Sequence, residues 1–160
     1  FVLKVDPVQY GGLTSSQGVG AVLGALTIGF LGKPKPLRLF FAATAFATVL
    51  AMVAQIPIYW TTALFMGLLG MGAVMLATSC NTTIQLGVPD HLRGRAMSVY
   101  WMVFAGSTPI GALFVGWAAK QFGVPTGLFF CSLLCLLGTL IGVGYWMRNK
   151  AAWREVAQLP

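Results

Sequence analysis

From Pro125 to Met147 the chain reads PTGLFFCSLLCLLGTLIGVGYWM, a run without one Asp, Glu, Lys or Arg. About 20 mostly apolar residues suffice for a helix to cross the hydrocarbon core of a bilayer. A buried helix of a soluble domain is usually shorter, so this run reads as a membrane span. Four more blocks of the same kind precede it: Gly12 to Gly32, Leu37 to Ile56, Tyr59 to Leu86 and Ala96 to Ala119. All ten basic residues sit at the ends of the blocks or between them. The fold class expected is therefore all-α, a polytopic transmembrane bundle of five spans. Residues 1–147 form the bundle and residues 148–160 a polar cytoplasmic tail.

Composition agrees. Of 160 residues, 58% are hydrophobic and 8% charged, where soluble domains carry about 25% charged residues. A soluble chain so poor in charge could not cover its surface, whereas lipid demands that poverty because each charge in hydrocarbon is costly. The net charge of +7 raises the question of nucleic acid, which attracts basic proteins. The basic residues are scattered singly or in pairs between apolar blocks, as membrane-surface anchors are, so no nucleic-acid partner is expected. The first residue is Phe1, and no basic stretch leading into a short apolar region with a cleavage site is visible. The chain is accordingly expected to begin inside a longer protein or to have been cut.

Short connectors make sequential spans antiparallel. Lys33-Pro34-Lys35-Pro36, Gln55-Ile56-Pro57, Gly87 to Arg95 and Lys120 to Pro125 separate the blocks, and proline interrupts helical hydrogen bonding. One side of the membrane then receives Lys33, Lys35, Arg38, Arg93, Arg95, Arg148, Lys150 and Arg154, the other only Lys4 and Lys120. Excess Lys and Arg marks the cytoplasmic side. The C-terminus is expected inside and the N-terminus outside. Tyr59, Trp60, Tyr145 and Trp146 lie near block ends, at the depth that amphipathic rings favour.

The blocks differ in kind. The first carries Gly18, Gly20 and Gly24, the third Gly67, Gly70 and Gly72, and the fourth Gly106, Pro109, Gly111 and Gly116. Small residues at such spacing permit close helix approach in lipid, and Gly20, Gly24, Pro109 and Gly116 are the expected packing positions. The third block ends in Thr78-Ser79-Cys80-Asn81-Thr82-Thr83-Ile84-Gln85, polar for a span. Blocks one, three and four are expected to be inner helices, and blocks two and five lipid-facing.

Chemistry is sparse. His91 is the single histidine, and it stands in a connector, so no His-based triad or zinc cluster can be assembled. Cys80, Cys131 and Cys135 lie in apolar runs without a CxxC pair and read as small hydrophobes. No metal, cofactor or catalytic residue is expected, and no enzyme. The connector Pro89-Asp90-His91-Leu92-Arg93-Gly94-Arg95 is the richest stretch. It reads either as an Asp90 N-cap followed by topology-setting arginines, or as a cytoplasmic latch in which Asp90, Arg93 and Arg95 engage a partner half.

That connector and the start of the fourth block, PDHLRGRAMSVYWMVFAGSTPIGALFVG, resemble the major facilitator superfamily, and within it the bacterial enterobactin-exporter-like and drug-exporter-like branch. The matching positions are Pro89, Asp90, Leu92, Arg93, Gly94, Arg95, Met97 and Ser98, then Thr108, Pro109 and Gly111. More loosely, blocks one to five correspond to helices eight to twelve of that family. The resemblance implies twelve helices in the whole protein, a missing N-terminal half as partner, and location in the bacterial inner membrane. It further implies that blocks one, three and four touch the central cavity. Two departures stand out. His91 occupies a position that is often acidic, and the second copy of the family's signature loop, at Gly29 to Arg38, lacks its Asp.

Tyr100, Phe104, Ser107 and Gly111 share a helix face by their spacing, as Asn81 and Gln85 do. These six are the expected substrate path; the alternative is that they are polar glue between helices. The function implied is secondary transport, exporting a small amphipathic solute of siderophore- or drug-like character by alternating access. The alternative is a non-transporting membrane scaffold or assembly subunit. Besides the lipid bilayer, the expected partner is a small-molecule substrate.

Overall fold

The computed structural model describes residues 6–32, 36–56 and 58–149. They form five helices: α1 (Pro7–Leu31), α2 (Pro36–Gln55), α3 (Tyr59–Gly87), α4 (Asp90–Phe122) and α5 (Val124–Arg148). All five are long and apolar enough to cross a membrane. The expected bundle is observed. The connector at Lys33–Lys35, the residue Pro57 and all of the polar tail from Lys150 onward lie outside the described residues.

Helix ends differ from the sequence reading in an informative way. The connector expected from Gly87 to Arg95 shrinks to Val88 and Pro89, because α4 begins at Asp90. A hydrophobicity criterion stops at the charges, but a helix can continue into water where it needs no apolar face. At 1.5 Å per residue the 33 residues of α4 extend about 50 Å, against about 30 Å of hydrocarbon. The helix is therefore longer than the hydrocarbon core is thick. Asp90 is its first residue and not its N-cap, a position held by Pro89. Fixed φ suits proline to that boundary, and an acidic first turn suits the helix dipole. At the other end, Gly123 alone separates α4 from α5. It sits at φ 86°, a region that L side chains rarely adopt. Its N–H donates to the Ala119 carbonyl at 3.0 Å, and its own carbonyl accepts from Gly127 N–H at 3.0 Å.

α1 and α3 form the most extensive contact in the bundle. Gly20 lies against Gly67, and Gly24 against Met71; a Cβ on either would run into the facing backbone. Gly70 meets the Gln17 backbone in the same way. Ser16 Oγ donates to the Ala63 carbonyl, and Tyr59 Oη donates to the Gln9 carbonyl at 3.2 Å. The partners 16 and 63, 20 and 67, 24 and 71 keep a constant offset of 47 positions, so the two helices run parallel. Tight backbone approach of this kind multiplies small dispersion terms, which in lipid replace the hydrophobic drive available in water.

α2 packs on α3, with the Phe46 ring 3.2 Å from where a Gly72 Cβ would be. It packs also on α5, where Phe40 lies beside Trp146 at a centroid distance of 6.0 Å. α5 touches α4, and α4 closes weakly back on α3. The result is a ring α3–α2–α5–α4, with α1 attached outside it on α3.

The inner and outer grouping expected from polarity therefore holds only in part within this chain. α3 is the hub, but α4 is the least covered helix. Ala118 is its sole buried residue, and every position from 101 to 114 is exposed. Glycine content marks a helix as able to pack closely, and it does not say on what. Pro109 is exposed, and a Cβ on Gly116 would meet nothing within 4 Å. Gly116 thus has no helix facing it among the described residues, in contrast to Gly20 and Gly24.

Candidate substrate groove and helix-end staples

Where α3 and α4 converge, the polar end of α3 faces aromatic residues of α4. Asn81 and Gln85 lie one helical turn apart, and the Gln85 amide donates to Asn81 Oδ1. Thr83 Oγ1 is turned back on its own helix, donating to the Ser79 carbonyl at 2.7 Å. From α4, Tyr100 Oη reaches across to the Ala77 carbonyl at 3.4 Å, the long limit for a hydrogen bond. Tyr100 and Phe104 stack at 5.9 Å and 21°. Trp101 meets both edge-on, at 5.6 Å and 5.7 Å.

The aromatic group divides the space into two openings. One, of about 410 Å³, has Thr78, Asn81, Thr82 and Gln85 on one wall and Tyr100, Trp101 and Phe104 on the other. The second, of about 430 Å³, lies on the far side of Tyr100 and Phe104 and runs past Val103 to Ser107. Among the described residues, no charged side chain lines either opening. Amide and hydroxyl groups with aromatic faces and without charge form a surface for a solute that is itself part polar and part apolar.

Of the six residues that the sequence marks as a path, Asn81, Gln85, Tyr100 and Phe104 meet in the first opening, and Ser107 borders the second. Gly111 borders neither, and a Cβ there would meet nothing. The Ser107 hydroxyl donates to the Phe104 carbonyl of its own helix at 2.8 Å. Thr108 does the same at 3.2 Å, beside Pro109, which has no N–H to give the Ala105 carbonyl. Thr78, Thr82 and Trp101 line the groove without standing among the expected six. The threonines precede and follow Asn81 within the same polar run, so that run is their signal in the sequence. Trp101 is off the face that a strict four-residue spacing selects.

The groove ends at a staple. Arg93 Nε donates to the Gln85 carbonyl at 3.3 Å, and Arg93 Nη2 pairs with Asp90 Oδ1 at 2.6 Å. Arg93 thereby ties the C-terminus of α3, where the helix dipole favours a cation, to the first turn of α4. Arg38 makes the equivalent bond in the preceding pair, its Nη1 donating to the Leu31 carbonyl at the end of α1, at 3.0 Å. The latch residue Arg93 thus already has partners inside this chain. Arg95, two residues on, is exposed and has no hydrogen bond or ion pair among the described residues.

Residues 2–159 match the major facilitator family described as transmembrane secretion effectors. The multidrug efflux pump Tap of Mycolicibacterium fortuitum is 23% identical over 145 residues, a stretch covering 89% of this chain and 36% of that protein. The chain thus spans about a third of that relative's length. No solved structure matches.

Proposed function

The chain belongs to the major facilitator family of transmembrane secretion effectors, and from that premise we propose that it forms most of the C-terminal half of an exporter. The substrate is a small amphipathic, siderophore- or drug-like solute, moved by alternating access against a missing N-terminal half. The observation that carries this reading is the uncharged amide-and-aromatic groove between α3 and α4, opening on a helix that the chain itself leaves uncovered. In transporters, sites of this kind lie where two helical bundles face one another. The test is efflux by the longer protein that contains this chain. Cells lacking their own exporters and expressing it should retain less ethidium than cells with the empty vector. Equal retention, with the protein present in the membrane, would count against transport of such a solute.

Asp90, Arg93 and Arg95 are the proposed cytoplasmic gate, Arg93 holding α3 to α4 and Arg95 reaching the partner half. An exposed ion pair is worth only about 0–1 kcal/mol. Changing both arginines to Gln should therefore slow efflux severalfold while leaving insertion and thermal stability nearly unchanged. Normal efflux by the double variant would leave the arginines a topological role alone. The described spans contain no carboxylate between their ends, since Asp6 and Asp90 stand at helix starts. If transport is proton-coupled, Asp90→Asn should leave the pH profile of efflux in place; a flattened profile would locate coupling in this half.

The orientation proposed is C-terminus inside, in the bacterial inner membrane. Among the described residues, Arg38, Arg93, Arg95 and Arg148 gather at one end of the bundle, against Lys120 at the other, and basic ends stay cytoplasmic. With Cys80, Cys131 and Cys135 changed to Ser, a cysteine at position 120 should react with an impermeant maleimide in whole cells. One at position 148 should react only after lysis. The reverse pattern would invert the topology.

A further inference from the structure

α1 presents two exposed faces of opposite character. Val8, Val19, Val22, Leu23, Leu26 and Phe30 are all exposed, and at about 100° per residue they fall on one side of the helix. That side suits acyl chains. Tyr10, Thr14 and Gln17, spaced four and three apart, share the opposite side, and all three are exposed as well. Gln17 stands ten residues after Pro7 in a helix of 25, about 15 Å from its start, so its amide lies well inside the span. The Gln17 side chain makes no hydrogen bond among the described residues, whereas the Thr14 hydroxyl is committed to the Tyr10 carbonyl of its own helix at 3.1 Å. An unpaired amide is costly in lipid, and polar side chains within spans face the protein interior or a water-filled cavity.

Gln17 crosses α3 at Gly70, its Cγ 3.1 Å from where a Gly70 Cβ would be. Gly72, about 200° further round α3, faces Phe46 of α2 instead, so Gly70 belongs to the side of α3 turned away from α2. Ala77 stands two turns beyond Gly70 on the same stripe, about 10 Å along the axis. Its carbonyl accepts the Tyr100 hydroxyl, and Ala77 and Asn81 line the groove between α3 and α4. One stripe of α3 therefore meets Gln17 at one level and the aromatic residues of the groove two turns on.

We infer that Gln17 is a specificity-determining residue of the solute path, its amide hydrogen-bonding the polar part of a solute on its way to or from the groove at Asn81 and Gln85. An amide both donates and accepts, so it favours solutes that carry amino, hydroxyl or carbonyl groups over purely apolar ones. The inference rests on the exporter reading and adds to it a binding residue on a third helix.

The test uses the longer protein that contains this chain. With Cys80, Cys131 and Cys135 changed to Ser, Gln17→Cys and Val19→Cys place a thiol on opposite sides of α1 within about 3 Å of the same depth. In opened membranes the thiol of Gln17→Cys should react with methanethiosulfonate ethyltrimethylammonium, a cation confined to water, and that of Val19→Cys should not. Saturating ethidium should slow the reaction of Gln17→Cys. With the native cysteines in place, Gln17→Leu should raise the half-saturating ethidium concentration for efflux about fivefold, the worth of one hydrogen bond, and leave the maximal rate unchanged. No reaction of Gln17→Cys, or equal reaction of both thiols, would overturn the inference by making the polar row a contact with other protein or no wetter than the apolar one. Reaction without protection by ethidium, together with wild-type half-saturation in Gln17→Leu, would show a wet surface that binds no solute, and would overturn it equally. Absence of ethidium efflux by the wild type would overturn the exporter reading and the solute role of Gln17 with it, a failure distinguished by the thiol at position 17 still reacting and that at position 19 not.

Discussion

Replacing Gly20 by leucine should prevent α1 from seating on α3 and leave little folded protein to purify. Already the first added carbon of such a side chain collides with the Gly67 carbonyl. The obstacle is backbone, which cannot swing aside as a flexible side chain can. Even Gly20→Ala should lower stability by about 1–3 kcal/mol, the usual range for overpacking. The matched control is Gly116→Ala, where the new methyl meets open space. There the change should fall within about 0.5 kcal/mol of zero, as for substitutions away from packed features. Unfolding in detergent, followed by helicity, measures both. Equal stability of Gly20→Ala and Gly116→Ala would mean that the α1–α3 contact does not hold the bundle together.

The second large effect is expected at Phe104. Its ring stacks on Tyr100, touches Trp101 edge-on and borders both openings of the groove. If solute passes here, Phe104→Ala removes a contact worth about 1.5 kcal/mol or more. The half-saturating dye concentration for efflux should then rise about tenfold. Two neighbours calibrate the result. Tyr100→Phe keeps the ring and loses only a long hydrogen bond to Ala77, so efflux should stay close to wild type. Ser107→Ala removes a hydroxyl that is committed to the Phe104 carbonyl, and should be equally mild. Wild-type efflux by Phe104→Ala at normal expression would remove the groove from the path.

Much of the groove is legible in the sequence because its parts lie close together in the chain. The run Thr78 to Gln85 is too polar for a lipid-facing turn, and a four-residue step from Tyr100 reaches Phe104. That these two stretches face one another depends on how α3 and α4 converge, which no local pattern encodes. Gly111 shows the limit. Its spacing continues the Tyr100–Phe104 face, but the residue borders neither opening, and a Cβ there would meet nothing within 4 Å. The arginines show another. Arg93 and Arg95 look alike in sequence, but only Arg93 comes within reach of the Gln85 carbonyl.

By itself the sequence determined that this is an all-α membrane protein with five spans. The reason is energetic and local: backbone in hydrocarbon must satisfy its own hydrogen bonds, so about 20 apolar residues become a helix wherever they occur. It determined also which ends carry the positive charge, since charges stay out of the core. Only the tertiary structure decided which glycines matter. Gly20 and Gly116 are equally small, and their difference lies in whether another backbone stands opposite. It likewise decided where α4 begins, because the bilayer limits which residues must be apolar and not which residues are helical. And it left α4 uncovered from 101 to 114, because packing is a relation between surfaces, and no local pattern states which surface stands opposite.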